Sequence, residues 1–230
     1  MTYCISDIHG EYELFMRLLE KIKYSDGDRL IVCGDFVDKG TASVRLAKTI
    51  FSLPGSCCIM GNHEHLFFNF YRSRMHSAIL DFDAILVQLQ QYFPEDGHLL
   101  NWETIDMLVD LPYFIEEKDF VCVHAGVPMD EKGRVLPLSE ASPEELIYDR
   151  RFKNPGVLPR ESKCVLFGHT PTTYIINEPK ILAYPTRHNN QHSPRSIADY
   201  CKVHLDTGAS MSGVLGCFCI DTCQAFYVRK

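Results

Sequence analysis

The most informative feature of the chain is a repeated pattern in which chemically active side chains follow an apolar, strand-like run and lie beside a glycine. In the longest example, the run that ends at Cys33 is followed by Gly34 and Asp35, and a second carboxylate, Asp38, comes three residues later. The same pattern recurs at Asp7 and His9, at Asn62 and His63, at His124 and at His169. Ligands of open α/β sheets bind outside the carboxyl ends of the strands, so these strand ends are expected to meet around one crevice.

The side chains at these strand ends are typical metal ligands. Oxygen and imidazole groups suit Mn, Fe or Zn, whereas sets of thiolates suit structural zinc. Asp7 and His9 are two positions apart and can hold one ion together, and Asp35 is placed to bridge that ion to a second. The side chains that would complete the second site are those of Asn62, His124 and His169. Two ions about 3.5–4 Å apart clamp a phosphate for in-line displacement and lower the pKa of a bound water to give hydroxide near neutral pH.

Further residues could complete the cleavage of a phosphate ester. His63 is a candidate general acid for the leaving oxygen, and Asp38 is the natural carboxylate to orient it. Lys39 and Arg150 are the cations available for the phosphate oxygens. Each of these residues alone has an ordinary structural explanation, such as a turn, a helix cap or a solvated charge. The prediction therefore depends on the ordered set rather than on any one member.

The elements that must position these residues alternate at the start of the chain. Hydrophobic periodicity predicts strands at Thr2–Ser6 and Arg29–Cys33 and helices at Glu11–Ile22 and Thr41–Ser52. This βαβ beginning makes at least part of the sheet parallel. The pattern from Asn62 to about Leu111 is mostly helical and predicts a helical cap.

The second half of the chain is richer in strands. Tyr113–Glu117 and Phe120–Val123 read as a hairpin, and Pro143–Tyr148 as a short helix. The polar segment Tyr184–Asp199 is predicted to be a surface loop near the active site. Strands of antiparallel type are predicted at Val203–Leu205, Gly213–Ile220 and Gln224–Val228. A parallel α/β start followed by a β-rich end indicates a layered α/β sandwich.

Composition limits the class of protein and its partners. The 230 residues fit one domain, predicted to span residues 1–230, and 46% hydrophobic with 23% charged residues is usual for a globular protein. The formal net charge of −7, with no run of Lys and Arg, argues against nucleic acid or an anionic membrane as a partner. We expect a cytoplasmic protein with reduced cysteines, because no apolar stretch approaches 18 residues and no signal-peptide pattern is present. The sequence carries no sign of the oligomeric state.

Taken in order, the motifs resemble those of the phosphoprotein phosphatase family of calcineurin-like metallophosphoesterases, especially its short bacterial and phage members. The resemblance runs from residue 7 to residue 171, continues at Leu205–Ala209 and so covers nearly the whole chain. It implies an α/β fold with a central β-sandwich flanked by helices and a dimetal centre at one edge. The motifs that carry it are Asp7-Ile8-His9-Gly10, Gly34-Asp35-Phe36-Val37-Asp38-Lys39-Gly40, Gly61-Asn62-His63-Glu64, His124-Ala125-Gly126 and Gly168-His169-Thr170-Pro171.

The resemblance also implies a role for each matching residue. His63 would be the general acid, paired with Asp38, and Asn62 would touch the substrate phosphate as well as a metal. The cofactors implied are two divalent metal ions, with Mn the first expectation and Fe or Zn as alternatives. The first ion would be held by Asp7, His9 and Asp35, and the second by Asp35, Asn62, His124 and His169.

One position departs from the family pattern. Lys39 stands where the family has a phosphate-gripping arginine, which keeps the charge but loses the planar two-pronged donor. We therefore expect weaker phosphate binding or a changed choice of substrate. Tyr148-Asp149-Arg150 resembles the family's Trp-x-Arg stretch, which assigns the second phosphate cation to Arg150, although the adjacent Arg151 stays an alternative.

The expected function is a metal-dependent phosphomonoesterase, a serine/threonine protein phosphatase acting on phosphorylated proteins or peptides. The alternative within the fold is a symmetrical bis(5'-nucleosyl)-tetraphosphatase, which shares these motifs, including a His-Ala-Gly form. The short chain and the absence of an evident extra nucleotide-binding segment favour the protein phosphatase. A non-catalytic phosphate-binding scaffold is the alternative from another class, and only Lys39 supports it.

Overall fold

Two β-sheets form the centre of the structure, a computed structural model that describes residues 1–76, 81–93, 97–159, 163–186 and 196–230. In chain order the strands are β1 (Thr2–Ile5), β2 (Arg29–Val32), β3 (Ser56–Cys58), β4 (Phe114–Glu116), β5 (Phe120–Val123), β6 (Cys164–Phe167), β7 (Leu182–Pro185), β8 (Tyr200–His204), β9 (Val214–Cys219) and β10 (Gln224–Arg229). The first sheet has the order β10-β9-β1-β2-β3, and the second has the order β4-β5-β6-β8-β7. Both sheets are mixed, and their parallel strands are β1-β2-β3 in the first and β5-β6-β8 in the second.

Helices cover the outer sides of the sheets. In chain order they are α1 (Tyr12–Ile22), α2 (Ser43–Ser52), α3 (Asn62–Met75), α4 (Phe82–Gln90), α5 (Trp102–Val109), α6 (Pro143–Tyr148), α7 (Thr173–Ile176) and α8 (Ala209–Ser212). The apolar stripe of α1, which includes Leu14, Phe15 and Leu18, is buried against the first sheet. Within the described residues, no helix combines the length and apolar character needed to cross a membrane.

The alternation of side chains along the strands separates the core into layers. Tyr3 and Ile5 of β1 point toward the helices, whereas Cys4 between them points into the space between the two sheets. Leu166 of β6 meets Cys4 in the same inter-sheet layer, and its neighbour Phe167 faces the opposite side of the second sheet. Successive strand residues point to opposite faces, so four layers result: helices, sheet, sheet and an outer cover.

The predicted α/β sandwich with flanking helices is confirmed, and several of its elements agree closely. β4 and β5 form the predicted antiparallel hairpin, and α6 has the predicted bounds. The helices α3, α4 and α5 pack together as the predicted helical cap, with Phe67, Ile85 and Ile105 buried in one cluster. The single domain over residues 1–230 stays a prediction.

Two predictions for the late part of the chain are wrong or incomplete. The strand predicted at Val203–Leu205 was expected to be antiparallel, but β8 pairs in parallel with β6 and antiparallel only with β7. Hydrophobic alternation carries no information about the direction of a partner strand, so the sequence could not decide this. The predicted loop Tyr184–Asp199 begins inside β7, and its residues 187–195 lie outside the described residues.

Candidate active site

Tight turns at the carboxyl ends of the parallel strands carry the predicted site residues. Asp7 N donates to Gly34 O at 3.1 Å and His9 N donates to Asp35 O at 2.9 Å, so the turns after β1 and β2 are tied together. Positive φ is uncommon outside glycine and is strained, and it clusters at functional sites. Among the described residues, the predicted site residues with positive φ are Asp7, His9, Asp35, Asp38, Lys39 and His169.

Two groups of ligand atoms lie at this edge of the sheets and share Asp35. The first contains His9, Asp35 and His63, whose ligand atoms are all within 4.8 Å of one another. His9 Nε2 lies 3.6 Å from Asp35 Oδ2 and 4.0 Å from Asp7 Oδ1. The carboxylate of Asp7 therefore borders this first group, as the sequence predicted. His63 was predicted as an acid rather than a ligand, yet its Nε2 also faces Asp35, at 3.9 Å.

The second group contains Asp35, His124 and His169, again within 4.8 Å of one another. Asn62 Oδ1 lies between the two imidazoles, 3.0 Å from His124 Nε2 and 2.7 Å from His169 Nδ1. All four residues are buried, with side chains that converge from four separate parts of the chain. The structure therefore brings together every predicted ligand of the second ion around one shared carboxylate.

Hydrogen bonds on the far side of the imidazoles set their orientation. His9 Nδ1 lies 3.1 Å from Val37 O, and His124 Nδ1 lies 2.8 Å from Cys33 O. A carbonyl can only accept, so each Nδ1 must carry a proton, and in the neutral form of each imidazole the lone pair is on Nε2 and is directed at the site. This is the arrangement that metal-binding histidines usually have.

The electrostatic field at the shared carboxylate favours positive charge. Burial alone would lower the pKa of His124, but the carboxylates of Asp35 and Asp7 raise it to about 10. Burial likewise opposes ionisation of Asp35, yet the imidazoles around it hold the pKa of that carboxyl well below its usual range. Lys39 already places its ammonium 2.8 Å from His9 Nε2.

A metal centre fits these residues. His169 faces the second group through Nδ1, which lies 3.2 Å from His124 Nε2, and its buried Nε2 has no hydrogen-bond partner among the described residues. Burial and the positive charges of His124 and Arg150 lower the pKa of His169 to about 3, so its imidazole is neutral and able to bind an ion. The donors are carboxylate, amide and imidazole, a set that suits divalent ions such as Mn, Fe or Zn.

His63 and Asp38 form the predicted pair. His63 Nδ1 lies 2.7 Å from Asp38 Oδ2, which leaves Nε2 free to face the shared carboxylate. Burial lowers the pKa of His63, but the hydrogen bond to Asp38 and the charge of Asp35 more than offset this, and the net shift is upward. The imidazole is therefore oriented and biased toward its protonated form.

The structure separates the two adjacent arginines. Arg151 donates from Nη2 to Asp149 Oδ2 at 2.9 Å, and its side chain is 83% exposed. The charge of Arg150 instead acts on His169, so Arg150 is the arginine on the side of the candidate site. This electrostatic effect on His169, together with the ion pair that holds Arg151, favours Arg150 over Arg151 as the phosphate-binding cation.

Glu64 is an important residue that the sequence reasoning missed. Its carboxylate is fully buried and accepts hydrogen bonds from backbone N–H groups of the two turns, with Asp35 N at 2.7 Å and Gly61 N at 3.0 Å on Oε2. The other oxygen, Oε1, accepts from Phe36 N and Val37 N. Glu64 therefore fixes the turn that presents the shared carboxylate. The spacing of Gly61 and Glu64, with an acid at the third helical position, is the capping pattern that predicts the bond to Gly61 N, but it does not predict the bonds to the turn after β2.

A buried histidine and a buried aspartate lie beside the site without belonging to either ligand group. His204 lies 2.7 Å from Thr170 O through Nε2 and stacks on Phe167, which anchors the turn that follows β6. These contacts give His204 a structural role. Asp206 is buried and accepts from Gly208 N at 2.7 Å, and burial with the nearby Asp7 carboxylate raises its pKa well above the usual range.

Comparison with known proteins adds a family and a set of relatives. A family model described as calcineurin-like phosphoesterase matches residues 2–206. A symmetrical bis(5'-nucleosyl)-tetraphosphatase of Buchnera aphidicola subsp. Acyrthosiphon pisum (strain 5A) is 33% identical over 134 residues, which is 55% of this chain and 44% of the relative. The protein of the same description from Pseudomonas putida (strain W619) is 29% identical over 157 residues, 66% of this chain and 51% of the relative. The chain thus spans about half the length of the curated relatives it matches.

A solved structure supports the fold over the whole chain. The crystal structure of a candidate diadenosine tetraphosphatase superposes with a TM-score of 0.67 at 18% identity, covering 99% of this chain and 92% of that one. Identity this low shows a common fold and does not transfer an activity.

Proposed function

The chain belongs to the calcineurin-like phosphoesterase family, and on that premise we propose that it is a metal-dependent hydrolase of dinucleoside tetraphosphates, cleaving them symmetrically to two nucleoside diphosphates. The observation that carries the hydrolytic part is the pair of ligand groups that share Asp35. The substrate class is supported by the curated relatives, which are described as symmetrical bis(5'-nucleosyl)-tetraphosphatases.

The residues at the site divide into those that would hold metal and those that act on the substrate. Two divalent ions bound here would supply charge neutralisation at phosphate and a water of lowered pKa. The residues that would hold them are Asp7, His9, Asp35, Asn62, His124 and His169.

The other residues bind phosphate and move a proton. Lys39 and Arg150 are the cations that would bind the oxygens of the phosphate under attack, with the amide of Asn62 as a further donor. His63, held by Asp38 at 2.7 Å, would give its Nε2 proton to the oxygen of the departing nucleotide. Asp38 keeps that imidazole in the tautomer and orientation needed for the transfer.

The serine/threonine protein phosphatase expected from the motifs is less well supported. The motifs describe a dimetal phosphate site, which a protein phosphatase and a dinucleotide hydrolase share. They do not describe the surface that receives the rest of the substrate. The preference for the protein phosphatase came instead from the short chain and the absence of an evident nucleotide-binding segment, and neither feature describes that surface. Similarity to curated tetraphosphatases at 33% and 29% identity favours the alternative.

The test is a parallel assay on one metal-free preparation refilled with Mn. Release of ADP from diadenosine tetraphosphate is compared with release of phosphate from a phosphothreonine peptide. We expect faster turnover of the dinucleotide, with two ADP as the products. The variant His63→Asn is the matched control, and its turnover should fall by about 10²- to 10⁴-fold because general acid catalysis contributes that much. Faster turnover of the peptide, or products other than ADP, would contradict the proposal.

A further inference from the structure

A row of aromatic rings leads outward from the candidate metal site. The ring of Tyr148 lies edge-on to that of His169, with centroids 6.5 Å apart, and His65 is 6.3 Å farther along from Tyr148. Tyr113 and Phe68 flank His65 at 6.2 Å and 5.9 Å. These four residues, Tyr148, His65, Tyr113 and Phe68, are named the aromatic rim.

The aromatic rim is supplied by separate elements and keeps part of its surface in solvent. His65 and Phe68 lie on α3, Tyr148 ends α6, and Tyr113 precedes β4. Tyr148 is 39% exposed, and the other three rings are half-buried. Aromatic side chains gain most when they are covered, so a partly open group of four rings beside a phosphate site is suited to a flat ligand.

The hydrogen bonds and charges of the aromatic rim suit an uncharged aromatic group that is attached to an anion. Tyr113 Oη lies 3.3 Å from His65 Nδ1, which orients the imidazole, and burial lowers the pKa of His65 so that the ring is uncharged near neutral pH. The charges that act on both rings are those of Glu144 and Arg72. Arg72 also lies 5.6 Å from the centroid of Phe68, which puts a cation at the outer end of the aromatic rim.

The geometry of the substrate class matches this arrangement. In a symmetrically cleaved dinucleoside tetraphosphate, one phosphate and one ribose separate the phosphorus under attack from the base on the same side. The base therefore lies well beyond the metal ligands, where the rings follow one another in steps of about 6 Å. Every nucleobase has a π-face that can stack on an aromatic side chain.

We propose that the aromatic rim binds one nucleobase of the substrate by stacking, and that His65 and Tyr113 set the preference for nucleotides over simple phosphate esters. This inference rests on the proposed function, since it assigns the base-binding part of the same site. Neither residue belongs to the groups that would hold metal.

The test uses His65→Ala and Tyr113→Ala in the full chain loaded with Mn. Tyr148 is left intact because its ring contacts His169. The KM for diadenosine tetraphosphate should rise about tenfold, since stacking of one base on an aromatic side chain is worth that order of binding. The KM for p-nitrophenyl phosphate, whose ring is joined to the transferred phosphate through a single oxygen and cannot reach the outer rings, should not change. His65→Phe should retain the wild-type KM for the dinucleotide.

The matched control is Tyr174→Ala, which removes a tyrosine that is 65% exposed and whose hydroxyl contacts Met211 instead. It should leave both substrates unaffected. An unchanged KM for the dinucleotide in both His65→Ala and Tyr113→Ala would overturn the inference. An equal loss on both substrates would also overturn it, because it would indicate local distortion.

A second readout separates failure of this inference from failure of the proposed function. A wild-type protein that hydrolyses p-nitrophenyl phosphate but not diadenosine tetraphosphate would refute the proposed function. In that case ADP and pyrophosphate are compared as competitive inhibitors of p-nitrophenyl phosphate hydrolysis. If ADP inhibits His65→Ala more weakly than the wild type while pyrophosphate inhibits both equally, the result would support base binding at the aromatic rim. Equal inhibition of wild type and variant by ADP would refute it.

Discussion

Replacing Gly34 with alanine tests whether close contact between two turns holds the candidate site together. Gly34 follows β2 with φ of +76°, and a Cβ added there would lie 2.6 Å from both Cα and N of Gly61. It would also lie 2.9 Å from Nδ1 of His124. Carbon atoms in contact are ordinarily about 3.5–4.0 Å apart, so the two turns would have to separate by roughly 1 Å.

The expected loss of stability has two parts. A left-handed conformation costs a residue with a Cβ about 1–2 kcal/mol. Forcing an extra carbon into a packed interior costs about 1–3 kcal/mol. We therefore expect Gly34→Ala to lower the free energy of unfolding by about 2–5 kcal/mol, which leaves a folded protein if the wild type has typical stability. The measurement is urea unfolding followed by circular dichroism.

Alanine substitutions at two other glycines separate the conformational cost from the packing cost. Gly97 has φ of +68° with nothing within 4 Å of an added Cβ, so Gly97→Ala should show only the conformational cost. Gly61 has φ of −98°, and a Cβ there would fall on the Asp35 side chain and amide, so Gly61→Ala should show only the packing cost. Gly34→Ala should exceed Gly97→Ala in both stability loss and activity loss.

Activity gives the sharper readout. The turns that Gly34→Ala would separate carry Asp35 and Asn62, and a misplacement of about 1 Å in a catalytic site can lower the rate by about 10²-fold. We expect a drop of that order in kcat/KM with saturating Mn. If Gly34→Ala were no less stable than Gly97→Ala and retained wild-type activity, the close approach of the two turns would not matter as argued.

Three further predictions concern proton transfer and phosphate binding. In Asp38→Asn, the pKa of His63 should fall because the hydrogen bond that raises it is weakened. The alkaline limb of the pH profile of kcat/KM should therefore move to lower pH. An alkaline limb that does not move would exclude the His63–Asp38 pair from the mechanism. Arg150→Ala should raise KM by about tenfold or more, as loss of a charge-assisted hydrogen bond does. Arg151→Ala should leave KM unchanged, because the guanidinium of Arg151 is already held by Asp149 at 2.9 Å. A larger rise of KM in Arg151→Ala than in Arg150→Ala would exchange the two assignments. Lys39→Arg should lower the KM for phosphomonoesters, because a two-pronged donor replaces a point charge. Steady-state kinetics that show weaker substrate binding would argue against Lys39 as a phosphate ligand.

Much of the candidate site could be read from the chain because its signals are local. An apolar run that ends at Gly34-Asp35, or at Gly61-Asn62, identifies both a strand end and a ligand within a few residues. These motifs in order were enough to predict the layered α/β fold. They were also enough to name the residues that the structure brings together around Asp35.

The contribution of Glu64 could not be seen in the same way. Its carboxylate acts on backbone N–H groups of Asp35, Phe36 and Val37, which are far from it in the chain. A buried carboxylate with such partners looks in sequence like an ordinary residue in the first turn of a helix. Only the packing of α3 against the turn after β2 gives it a role.

The direction of β8 and the grouping of the aromatic rim were decided by tertiary structure for a related reason. Alternating apolar residues at Val203–Leu205 predict a strand, but whether its partner runs parallel depends on the path of the whole intervening chain. The aromatic rim likewise combines His65, Tyr148 and Tyr113, which no local spacing connects. The sequence by itself identified the candidate ligands of the site, because each of them closely follows the end of a strand. Tertiary structure alone decided which distant side chains surround that chemistry, because contacts between remote segments depend on how the layers pack.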